Sequence, residues 1–286
     1  MAPKDIFFRD TDVCTEFYSY DDEYGDPDSE AVYVPDYTIM PKDSYGKIKW
    51  KSSNTSIGKV DGNGKVTLLK PGRIKITATL PSGKSRSYYL TILKEGEYPG
   101  ELDSVRFKKT SVKMYTGSYK QLVLIKSPKP VPENYIEWIT TNPNVLTVDD
   151  NGVVTARNPG KAIVIAINRD SFEVLTCKVT VKPSKAWKIK KVKASKPSVK
   201  AKALKKNKVK LTWKRVPYAS GYYVYKASKA KGKYKKIAKI KGSRKCKLVI
   251  RKIKKAKKCY FKVRAYLKIG KKTYRGKLSK AVKAKK

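Results

Sequence analysis

The chain has 286 residues, with 68 Lys and Arg against 23 Asp and Glu, no His, four Cys and 40% hydrophobic residues. That length suits two or three domains with small apolar cores, so one long disordered chain is not expected. The absence of His removes Ser-His-Asp and Cys-His nucleophiles, imidazole acid–base work and His-ligated zinc.

Residues 1–30 hold ten acids against Lys4 and Arg9. The opening Met1-Ala2-Pro3-Lys4-Asp5 lacks the apolar run of a secretory leader, and no stretch approaches the ~18 apolar residues of a membrane span. Between Asp21 and Glu30, Asp21, Asp22, Glu23, Asp26 and Asp28 offer hard oxygen ligands of the kind calcium uses. The alternating order of an EF-hand loop is missing and Pro27 restricts wrapping, so a solvated acidic loop is expected, with no metal and no cofactor.

Two segments, WKSSNTSIGKVDGNGKVTLLKPG and WITTNPNVLTVDDNGVVTARNPG, align without a gap at a constant offset of 88 residues. The offset pairs Trp50 with Trp138, Asn54 with Asn142, Asp61 with Asp149, Gly64 with Gly152, and Pro71-Gly72 with Pro159-Gly160. Each copy reads as β structure. In the second, Leu146 and Val148 run into Asp149-Asp150-Asn151-Gly152 and then Val153-Val154, a hairpin signal whose tip tolerates positive φ. A further strand follows each Pro-Gly pair, at residues 74–78 and 162–166, and each Trp is expected to plug a sandwich core.

The combination of W-x-[ST]-[ST]-N, V-D-x-x-G-x-V and P-G before a β run resembles the bacterial immunoglobulin-like domain, group 2. The resemblance implies two such domains, at residues 1–94 and 101–182, the first with an acidic insertion at residues 18–30 that leaves its opening strand poorly defined by pattern.

In the last third Val209, Leu211 and Trp213 alternate with Lys210, Thr212 and Lys214, and the same period of two recurs through Tyr222–Tyr225 and Phe261–Ala265. Such strands bury one face and expose a cationic one. The order L-x-W, A-S-G-Y-x-V-Y, C-Y-F-K-V-R-A-Y and L-S-K-A resembles a fibronectin type III domain over residues 187–286, as in surface proteins of Gram-positive bacteria. Cys259 stands where the resemblance places the corner Tyr, so the adjoining corner is expected to be held less firmly. The fold class is therefore all-β: three tandem sandwiches, joined by short connectors at residues 95–100 and 182–186 that predict a rod of limited bending.

No phosphate-binding or nucleophile-elbow motif appears, nor any long amphipathic helical period, so no enzyme is expected. Cys14, Cys177, Cys246 and Cys259 form no CxxC pair and read as buried thiols.

Residues 187–286 hold 41 Lys and Arg and no acid, Glu173 being the last in the chain. Lys205, Lys206, Lys233, Lys235, Lys236, Lys254, Lys255, Lys257, Lys258, Lys271 and Lys272 fall on turns and exposed strand faces and are the candidate polyanion-binding residues. Only Arg215, Arg244, Arg251, Arg264 and Arg275 provide forked donors, so unselective binding is expected, and Tyr218, Tyr223, Tyr225 and Tyr234 are candidates for stacking on sugar rings. The expected partner is an anionic cell-envelope polymer or acidic polysaccharide, with no specific nucleic acid. The resemblances imply a secreted or surface adhesion protein, open to homo-oligomers or larger surface assemblies. A bacteriophage decoration or fibre component is the alternative.

Overall fold

A computed structural model describes residues 1–17, 31–42, 44–97, 102–127, 129–130, 136–205, 207–253 and 259–284. The chain divides into two compact units, Met1–Lys182 and Pro183–Lys286. The acidic stretch at residues 21–30 lies outside the described residues.

The first unit contains two sandwiches of the same topology. One comprises β1 (Asp5–Phe8), β2 (Asp12–Thr15), β3 (Val32–Tyr33), β4 (Tyr37–Met40), β5 (Lys49–Ser52), β6 (Gly58–Val60), β7 (Val66–Leu68), β8 (Gly72–Thr79) and β9 (Ser85–Ile92). The other comprises β10 (Ser104–Phe107), β11 (Ser111–Tyr115), β12 (Tyr119–Gln121), β13 (Leu124–Ser127), β14 (Ile136–Thr140), β15 (Leu146–Val148), β16 (Val153–Ala156), β17 (Gly160–Asn168) and β18 (Val174–Lys182). Their main sheets run β2-β9-β8-β5 and β11-β18-β17-β14, with β2 and β11 each added parallel to the long strand beside it. The opening strand that pattern left undefined is thus split, β1 pairing with β4 and β2 with β9.

The shared motif has a mechanical reason in each copy. Asp61 Oδ1 accepts from the Asn63 and Lys65 amides, and Asp149 Oδ1 from those of Asn151 and Val153, so the carboxylate closes the hairpin. Gly64 and Gly152 follow at φ +92° and +69°, and a Cβ at either would lie 2.6 Å from the ring of Trp50 or Trp138. Both requirements, a left-handed backbone and an empty site beneath indole, select glycine. Each Trp is half-buried against its core, under the hairpin rather than at the centre of the sandwich.

Within this unit the two sandwiches meet through polar contacts. Gln121 Nε2 donates to the Phe8 carbonyl at 2.6 Å, Thr38 Oγ1 to Asp149 Oδ2 at 3.1 Å, and Asn151 Nδ2 to Thr38 Oγ1 at 3.0 Å. Lys126 is buried and its ammonium pairs with Asp10 at 2.8 Å. Burial pulls the Lys126 pKa below the ordinary lysine value, and the Asp10 charge opposes that shift.

The second unit opens with a helix, α1 (Lys185–Ala194), which the absence of long helical periodicity did not predict. Ser184, read from sequence as connector, is its N-cap and accepts from the Trp187 amide. Ten residues are too few to show a period, and only Val192 is fully buried, so the helix is held by one anchor rather than a stripe. Ser195 N–H and Oγ both donate to the Val192 carbonyl and close its end.

The sandwich that follows comprises β19 (Val199–Leu204), β20 (Lys208–Trp213), β21 (Gly221–Ala227), β22 (Lys235–Lys241), β23 (Lys247–Ile250), β24 (Tyr260–Ile269), β25 (Lys272–Arg275) and β26 (Val282–Lys283). One sheet runs β19-β20-β23 and the other β22-β21-β24-β25, with β26 also on β24. Val209, Leu211, Trp213, Tyr222, Val224, Phe261, Val263 and Ala265 fill the space between them. Tyr222 Oη donates to the Ser243 carbonyl and accepts from the Val216 amide, and burial pushes its pKa up to about 12. The corner before Cys259 lies outside the described residues. Cys14, Cys177 and Cys259 are buried thiols, and Cys246 is half-buried.

Candidate anion-binding surface

The period of two that sends Tyr222 and Val224 of β21 into the core sends Tyr223 and Tyr225 to the other face, and in β24 it does the same for Tyr260, Lys262, Arg264 and Tyr266. Register then sets each tyrosine between cations. Tyr223 faces Lys239 on β22 and Arg264 on β24, and Tyr225 faces Lys236 and Lys262. Tyr223 and Tyr266 stack at 4.6 Å and 27°.

The cations lean over this aromatic floor. Lys236 Nζ lies 5.4 Å from the Tyr223 ring centre, Lys239 Nζ 5.5 Å from that of Tyr266, and Lys262 Nζ 4.2 Å from that of Tyr234. Tyr223 and Tyr266 are buried beneath these cations, so Tyr223 offers no open face to a sugar ring. Each contact contributes on the order of 1 kcal/mol and restrains a side chain that would otherwise sample many rotamers. Burial of the rings raises the Tyr266 and Tyr234 pKa values, with Tyr223 and Tyr260 adding respectively, so both hydroxyls remain neutral donors at physiological pH. Every ion pair among the described residues lies within Met1–Lys182.

The sequence-predicted lysines are only partly gathered. Lys233, Lys235 and Lys236 are exposed at the start of β22, on one edge of the sheet. Lys271 and Lys272 are exposed at the opposite edge, around the start of β25, and Lys205 follows β19 in the other sheet. Lys206, Lys254, Lys255, Lys257 and Lys258 lie outside the described residues. The described candidates therefore do not form one cluster. Lys239, Arg264 and Arg275 gather around Tyr223 and Tyr266, and Lys262 lies over Tyr234. The two lysines were not among the candidates and the two arginines were named only as forked donors, although the alternation of Lys262 and Arg264 with tyrosine in β24 was an available signal.

Comparison with known proteins assigns the first unit. The model of the bacterial Ig-like domain, group 2, matches residues 33–89 and 101–179. The chain carries two group 2 bacterial Ig-like domains. An uncharacterized Clostridium acetobutylicum protein is 30% identical over 145 residues, covering 50% of this chain and 15% of that one. A lacto-N-biosidase from Bifidobacterium bifidum is 39% identical over 62 residues, covering 22% of this chain and 6% of the enzyme. The tandem Ig-like chain thus spans only a small fraction of these curated relatives. A solved Fn3-like protein from Clostridium thermocellum is similar at 22% identity over 33% of this chain and 96% of that one, with a TM-score of 0.27. The fold is all-β, built of tandem sandwiches, and among the described residues no helix is long and apolar enough to cross a membrane.

Proposed function

We propose that the chain is a non-catalytic spacer and adhesion segment at a bacterial surface, and that its third module holds an anionic envelope polymer or acidic polysaccharide. The observation that carries this reading is the cationic face of β21, β22 and β24, where lysines stand over tyrosines in a module with no carboxylate side chain. A linear polyanion gains from neutralising several fixed charges at once and releases its own counterions in doing so. A spacer role for the first unit is supported by the Ig-like family match. A similar segment occurring within a glycosidase fits a module carried beside other domains rather than one that reacts itself.

The test is retention of the full chain on immobilised anionic wall polymer across a salt series, beside the triple variant Lys235→Glu, Lys236→Glu, Lys239→Glu. The logarithm of the retention factor should fall linearly with the logarithm of salt, and the variant's slope should be smaller by roughly one for each of these lysines that contacts the polymer. Salt-independent retention, or an unchanged slope in the variant, overturns the reading.

A further inference from the structure

A groove of about 500 Å³ opens in the third module between α1 and the turn joining β20 to β21. Two aromatic rings form its corner: Trp187 and Tyr218 meet edge-on at 5.2 Å and 89°. Lys191, one helical turn beyond Trp187, places its ammonium 4.9 Å from that ring's centre, and Lys196, Lys214 and Arg215 complete a rim of four exposed cations.

Core packing accounts for Tyr218, which is half-buried against the module's core cluster, but not for Trp187. Trp187 is half-buried and lies outside the core cluster, to which the helix contributes Val192 and Ile189 instead. Tyr218 has φ +63°, a left-handed conformation unfavourable for a bulky L-residue and readily taken by glycine. The chain thus keeps a large aromatic at a strained position, and the ring reaches Trp187 from there.

We infer that this groove binds a single acidic sugar residue, a hexuronate, with its carboxylate on the Lys191, Lys214 and Arg215 side and its ring against the Trp187–Tyr218 corner. The volume is within the range of small-molecule sites, and the lining combines apolar rings with a few polar groups of one sign. A polyphosphate or polyol-phosphate chain would use the cations but leave the aromatic corner unfilled, and a neutral sugar would do the reverse. The inference rests on the polymer reading only for the choice of an anionic glycan. It adds a local, saturable contact to a spread-out attraction.

The test follows the Trp187 indole signal of the full chain by NMR, assigned by its loss in Trp187→Phe, at about 0.3 M salt, where screening confines electrostatic attraction to short range. A galacturonate trisaccharide should shift that signal saturably, whereas the neutral galactose trisaccharide should not. Tyr218→Gly, which suits the left-handed backbone, should keep the Trp213 signal in place and weaken the trisaccharide on the order of ten-fold. No saturable shift, an unchanged affinity in Tyr218→Gly, or tripolyphosphate or a short oligothymidylate binding as tightly as the trisaccharide would each overturn the inference. Persistent salt-dependent retention on wall polymer alongside such a result would leave the broader reading standing and refute the groove alone.

Discussion

Met1–Lys182 holds its cations against carboxylates, including the buried Lys126–Asp10 pair, the contact of Arg73 Nη2 with both carboxylate oxygens of Asp12 and the pairing of Lys84 and Arg86 with Asp5. Pro183–Lys286 has no carboxylate side chain to offer and sets cations over Tyr223, Tyr234, Tyr266 and Trp187. The contrast teaches that similar sandwiches, each packed on an apolar core, can be built with or without internal charge pairing. Only the second leaves a large unneutralised field directed outward.

The largest effect expected from breaking this contrast lies at the buried Lys126–Asp10 pair. Lys126→Met should destabilise Met1–Lys182 by roughly 3 kcal/mol, because Asp10 is left without its partner where the two sandwiches meet. Adding Asp10→Asn should recover most of that loss, since removing both charges avoids the cost of one stranded charge. Urea unfolding of the single and double variants measures the difference. Equal destabilisation in both would mean that the lysine acts through shape rather than charge.

A smaller effect is expected at Tyr222, which anchors the third module through a neutral hydroxyl where the first unit uses ions. Its folded pKa is raised to about 12, above the unfolded value, so its contribution is fully present below pH ~10 and is lost as pH rises toward the folded value. Tyr222→Phe should cost about 1–2 kcal/mol at neutral pH by leaving the Val216 amide and Ser243 carbonyl without this partner, and it should flatten the alkaline loss. Unfolding followed across pH, with tyrosinate absorbance as the second signal, checks both parts.

The smallest effect sharpens the comparison without a mutation. Salt raised from about 0.01 M to about 1 M, which shortens the Debye length from about 30 Å to about 3 Å, should stabilise Pro183–Lys286 by about 1 kcal/mol by screening its self-repulsion. Met1–Lys182 should change less, and in the opposite sense, as its exposed pairs are screened. Hydrogen exchange read separately in each unit would show it, and a third module weakened by salt would break the contrast.

Much of the fold was legible because its signals are local. Asp149 and Gly152 mark a hairpin by turn chemistry alone, and the alternation of Val209, Leu211 and Trp213 marks a buried strand face. The candidate site was legible only as charge. Lys235 and Lys236 could be assigned to an exposed strand start, but nothing in their spacing said that Lys271 and Lys272 lie at the other edge of the same sheet. The Trp187–Tyr218 corner was invisible for the same reason. Its residues are 31 apart in sequence, one on a short helix with a single buried anchor and the other in the turn after β20.

Composition and period therefore determined that this protein is a string of β modules with an acid-free, cationic end, since both are properties of residues and their immediate neighbours. Tertiary structure decided which cations share a face, which ring each leans over and where a groove opens, because strand order and register bring together residues that the chain itself keeps apart.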